Sequence, residues 1–106
     1  MAASISALLG ELKTGLSHVY GSRLRGVYLY GSHARHEADD ESDVDVLVVL
    51  DDVPDYAAEL ERTSPIVARL SLKYRVAISR VFVPRRDWAA RDTSFLANVR
   101  EEAIRA

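Results

Sequence analysis

The run from Asp43 to Leu50, DVDVLVVL, limits the fold more than any other stretch of the sequence. Every residue after Asp45 in that run is apolar, and most are β-branched. An extended segment with two apolar faces has to be covered on both, which puts it at the centre of a sheet layered with helices. Asp51-Asp52-Val53-Pro54 stops it.

The flanking pattern supplies those layers. Ile5, Leu8, Leu9, Leu12, Leu16 and Val19 recur at helical spacing, predicting an amphipathic helix over about Ser4 to Tyr20. Residues 26–30, GVYLY, read as a strand with Tyr28 and Tyr30 on one side and Val27 and Leu29 on the other. Gly31-Ser32 ends it and opens a short helix through Glu37. Residues 55–73 read as helix, with Tyr56, Leu60, Ile66 and Leu70 as core contacts. Pro65 either kinks that helix or starts a second piece capped by Thr63 or Ser64. Arg75 to Val83 reads as a third strand bounded by Pro84. Thr93 or Ser94 caps a final helix that carries Leu96, Val99 and Ile104, anchored by Trp88 and Phe95. The order is helix, strand, short helix, strand, helix, strand, helix. It predicts an α/β fold, a small mixed sheet flanked by helices.

Length and composition set the outer bounds. The 106 residues make room for one domain, 1–106. A domain this small has a marginal core, so a partner or self-association is expected to support it. Cysteine is absent, which removes disulfides, zinc-thiolate sites and thiol catalysis from consideration. The longest apolar run, residues 46–50, is far too short to cross a bilayer, and MAASISALLGELKTG lacks the basic leader of a secretory signal. A cytoplasmic location is expected. A net charge of -2 gives no concentrated basic surface for nucleic acid. The acids are clustered, however: Glu37, Asp39, Asp40, Glu41, Asp43 and Asp45 follow one another with no basic residue among them.

That cluster belongs to the stretch with chemical potential, GSHARHEADDESDVD, Gly31 to Asp45. Glycine lets the backbone turn tightly against a ligand. Ser32 adds a hydroxyl, and the free amides of an opening helical turn cradle phosphate. Asp43 and Asp45, two apart on a strand, project from the same face. Alone, a Gly-Ser is commonly a turn and an Asp-Val-Asp a solvated edge. Together at two strand ends, they suit a divalent cation shared between carboxylates and a triphosphate. Arg35 stands close enough to assist the phosphates, or to pair with an acid such as Asp39. His33 and His36 lack a third metal ligand. Lys73 and Arg75 either meet phosphate or flank a strand.

Gly31-Ser32, a short spacer and Asp43-Val44-Asp45 resemble the signature of the minimal nucleotidyltransferases in the DNA polymerase beta-like superfamily. The resemblance implies the small mixed sheet of that fold. It implies that Gly31 and Ser32 hold the phosphates of ATP or another nucleoside triphosphate, and that Asp43 and Asp45 are catalytic ligands of Mg²⁺. It also implies transfer of a nucleoside monophosphate, AMP from ATP, to a hydroxyl. Free-standing members act as antitoxins to a helical HEPN toxin, some by adding AMP to a tyrosine. One position departs from the pattern. The third strand of active members supplies a further acid where this chain has Ala77, with Ile78 or Ser79 in neighbouring registers. The alternative implied is a catalytically impaired nucleotide- or protein-binding module that regulates its partner by contact.

Overall fold

A computed structural model describes residues 3–39, 41–90 and 93–106. Helix α1 (Ala3–Tyr20) runs through a 3-10 turn, Gly21–Arg23, into strand β1 (Leu24–Tyr30). Strand β2 (Val44–Leu50), helix α2 (Tyr56–Tyr74) and strand β3 (Ile78–Pro84) follow, then helices α3 (Arg85–Ala90) and α4 (Ser94–Glu102). A short strand β4 (Ile104–Arg105) completes a sheet of order β3-β2-β1-β4. β2 is antiparallel to β1 and parallel to β3, while β4 is antiparallel to β1, so the sheet is mixed.

The run after Asp45 is the centre of this arrangement, buried along its length. The even-numbered residues of β2, Val44 to Leu50, join Val27, Leu29, Ile78 and Phe82 beneath α1 and α2. Leu47 and Val49 point the other way, into a smaller cluster with Trp88, Leu96 and Val99. The helices of the larger layer touch closely at Gly15, where an added Cβ would collide with the Ile66 side chain. Tyr28 and Tyr30 lie on the smaller layer as their alternation predicts, 4.9 Å from Trp88 and 5.7 Å from Phe95 between ring centroids.

Several local expectations are corrected. The α1 stripe ends one residue differently: Val19 is 39% exposed and Tyr20 is buried. Tyr20 donates to Glu59, a carboxylate only 2% exposed that also meets Arg23 and Arg62. α2 passes through Pro65 without a second start. Asp55 caps it by accepting the Ala58 amide, while Thr63 and Ser64 return their hydroxyls to carbonyls of the preceding turn. Tyr56 is half-exposed but packs edge-on against Phe82. Arg75 is not in the third strand. It closes α2 in the left-handed region, φ 54°, with the Val76 amide reaching back to the Ser71 carbonyl. Residues 31–37 form a single turn rather than a helix. Ile104 belongs to β4, where the Ala106 amide also bonds the Val27 carbonyl at 2.9 Å, and α3 was not signalled in the sequence.

Among the described residues, no helix is long and apolar enough to cross a membrane.

Candidate active site

β1 and β2 form an antiparallel pair in which Tyr30 faces Asp45. The residue after Tyr30 therefore arrives beside the Asp45 carboxylate. It is Gly31, with φ 76°, and an added Cβ would overlap Asp45 Oδ2 and stand 3.3 Å from its Cγ. Glycine is required here twice over, by the backbone conformation and by the carboxylate against it.

The chain then makes one turn. The Arg35 amide bonds the Gly31 carbonyl at 3.1 Å, and the amides of His36 and Glu37 reach back to His33 and Ser32. His36, at φ 59°, is the left-handed residue that closes it. This is a complete Schellman closure, which explains why the helix predicted from Gly31 ends at once. The amides of Ser32, His33 and Ala34, and the Ser32 hydroxyl, have no partner among the described residues. They are the donors an anion would meet.

Asp43 precedes β2 in the open, and Asp45 is half-buried. Burial, then the charge of Asp43, pushes the Asp45 carboxyl above its ordinary value, while His33 and Arg35 oppose that shift. Burial and Asp45 likewise raise the Tyr30 hydroxyl. Two repelling carboxylates beside free amides fit a hard divalent cation with phosphate oxygens completing its shell. Among the described residues no group of three or more His, Asp or Glu side chains is placed to hold a metal. The parallel register explains this. Ser79 lies opposite Asp45, and the Ala77 carbonyl accepts the Val44 amide at 2.9 Å, so the positions flanking the acids, on β3 and just before it, carry a hydroxyl and a methyl.

Arg35 comes to the site, but not with Asp39 as partner. Its Nε donates to Glu37 at 3.1 Å and its Nη1 to Glu102 at 2.8 Å. The other Glu102 oxygen accepts the Gly31 amide at 3.3 Å. Glu102 was not singled out in the sequence. Its one signal is an acid in the last turn of a helix, where the helix dipole disfavours negative charge. Asp39 is bound locally to the Glu41 amide and the Ser42 hydroxyl. Lys73 is drawn away to Glu11 at 2.9 Å. His33, whose Nε2 lies 3.3 Å from the Ser42 carbonyl, His36 and Arg75 line a separate cavity of about 530 Å³ between the turn and the ends of α1 and α2.

The polymerase beta nucleotidyltransferase family model matches residues 15–82, and the chain belongs to that family. A relative in Methanocaldococcus jannaschii, named as a candidate protein adenylyltransferase, is 39% identical over 75 residues, covering 71% of this chain and 75% of its own. A second from the same organism, named likewise, is 34% identical over 98 residues, 87% of each chain. Two solved structures share the fold. A toxin-antitoxin crystallised with AMP-PNP superposes at a TM-score of 0.59 with 20% identity, covering 89% of this chain and 68% of that one. A structure from Sulfolobus solfataricus, named as a candidate nucleotidyltransferase, reaches 0.55 with 20% identity, covering 99% and 86%.

Proposed function

We propose that the chain binds Mg²⁺-ATP between the Gly31–Glu37 turn and the Asp43 and Asp45 carboxylates, and transfers AMP to a hydroxyl on a partner protein. The observation that carries this reading is the packing of the Asp45 carboxylate against Gly31, beside a turn with free amides. Gly31 and Ser32 bound the phosphate site, Asp43 and Asp45 hold the cation, and Arg35 offsets phosphate charge. Mg²⁺, when bound, neutralises the triphosphate and polarises its α-phosphorus. The acceptor oxygen bonds to that phosphorus as the bond to the β-phosphate breaks. Pyrophosphate leaves with the bonding pair, and the hydroxyl proton passes to solvent. Catalysis of this kind rests on positioning and charge neutralisation.

The partner is a helical HEPN-type toxin, with this chain as its antitoxin. Support comes from the relatives named for protein adenylylation and from the toxin-antitoxin that shares the fold. A second reading has its own observation. With Ala77 and Ser79 beside Asp43 and Asp45, no third carboxylate among the described residues is there to activate the acceptor. In this reading nucleotide binds and the partner is regulated by contact.

Calorimetry with ATP, with and without Mg²⁺, tests the shared part. The paired change Asp43→Asn and Asp45→Asn is expected to abolish Mg²⁺-dependent binding in protein that stays folded, and unaltered binding would refute the assignment. Labelled ATP incubated with the chain and a HEPN-type partner protein then separates the readings. Transfer supports the enzyme, and its absence with binding intact supports the regulator. Ala77→Asp is expected to create or raise transfer in the latter case.

A further inference from the structure

The sheet register places Glu102 where a strand residue would otherwise be. β1 and β4 pair Tyr28 with Arg105 and Leu29 with Ile104, so the same register continued opposes Gly31 to Glu102. The amide of Ala106 bonds the Val27 carbonyl, which fixes the outer edge of β1 as the edge that faces β4. The Gly31 amide points along that edge. At the level of Gly31, however, the chain is already the last turn of α4, and its backbone carbonyls run with the helix. The Glu102 side chain takes the place of the missing strand and accepts the Gly31 amide at 3.3 Å.

The same carboxylate grips Arg35. Its second oxygen accepts Nη1 at 2.8 Å, while Glu37 accepts Nε at 3.1 Å from the neighbouring edge of the guanidinium. A planar fork held at two of its nitrogens has its orientation set. Nη2 then has no hydrogen-bond partner among the described residues. One carboxylate thus fixes both the start of the turn, at Gly31, and the guanidinium it carries, at Arg35.

We infer that Glu102 is a positioning residue for the nucleotide site, acting through Arg35 and Gly31 rather than by touching substrate. The inference rests on the Mg²⁺-ATP reading above. Glu102 presets the guanidinium so that little side-chain freedom is lost when a triphosphate arrives, and it keeps Gly31 against Asp45. Preorganisation of this kind is expressed as affinity for the ligand.

The test is a cycle of Glu102→Gln, Arg35→Ala and the double variant, read by Mg²⁺-ATP calorimetry and by urea midpoints. Glutamine keeps an oxygen for the Gly31 amide but removes the charge from Arg35. Glu102→Gln is expected to weaken Mg²⁺-ATP binding about five- to tenfold, the scale of a charge-assisted contact, with a near-native midpoint. In the Arg35→Ala background the same change is expected to cost little more. Wild-type affinity in Glu102→Gln overturns the inference. Tighter binding also overturns it, because Glu102 would then be competing with phosphate. An equal loss in both backgrounds overturns the route through Arg35. No Mg²⁺-ATP binding by wild-type protein removes the nucleotide reading and this inference together, a result distinct from the other three.

Discussion

Gly31→Ala tests the join between fold and site in one substitution. Alanine at φ 76° occupies the left-handed region, at about 1–2 kcal/mol. Its methyl also meets the Asp45 carboxylate, whose Cγ lies 3.3 Å from the new carbon, so Asp45 has to leave its rotamer at about 1 kcal/mol. The stiffer unfolded chain offsets about 0.5 kcal/mol of this. A net loss of about 2 kcal/mol is expected, which for a domain near 100 residues lowers Tm by about 8–16 °C. Mg²⁺-ATP affinity falls about 10–100-fold as Asp45 is displaced. Urea unfolding and calorimetry measure both. Repeating the substitution on Asp45→Ala isolates the carboxylate: the stability cost there drops to the backbone share of about 1 kcal/mol. A Gly31→Ala protein with wild-type midpoint and affinity would refute the reasoning, as would an undiminished cost when Asp45 is already gone.

Gly15→Ala adds a methyl into the Ile66 side chain at the α1–α2 contact and is expected to destabilise by about 1–3 kcal/mol despite alanine's better helix propensity. Ile66→Val, which deletes the nearest carbon, recovers part of that loss in urea unfolding. Glu59→Ala leaves the Tyr20 hydroxyl and two arginines without their shared buried acceptor, and a loss of about 3 kcal/mol is expected by the same assay. The Tyr20 hydroxyl is held above its ordinary value by burial and then by its bond to Glu59. Its contribution is therefore complete below the unfolded tyrosine value, about 10, and is lost as pH rises through the folded one. Stability measured above pH 10 should fall more steeply in wild type than in Tyr20→Phe.

How much of this was legible depended on whether the signal was local. The unbroken apolar run of β2 announced its burial on both faces, and the α1 stripe was read to within its final turn. Gly31, Ser32, Asp43 and Asp45 stand out as candidates because they fall in one short stretch, and the structure brings Gly31 and Asp45 into contact. Ile104 continued a helical spacing, but the β1 edge claimed it as strand, a tertiary demand that periodicity does not carry. Arg75 looked like the entrance to β3 because nothing local marks a left-handed cap where glycine is absent. Glu102 was missed for the same reason: its partners, Gly31 and Arg35, lie about seventy residues away along the chain.

The split between strands that made the site readable also separates its parts in folding. Gly31 and Asp45 belong to one antiparallel hairpin, closed through its own loop. Ala77 leads directly into the parallel neighbour β3, which reaches β2 only after the whole of α2 has crossed the sheet. Hairpins close early and parallel crossovers late. The Gly31–Asp45 contact is therefore set within the hairpin, and the β3 side is added to it. A substitution at Ala77 is therefore expected to leave the hairpin, and with it the Gly31–Asp45 contact, undisturbed.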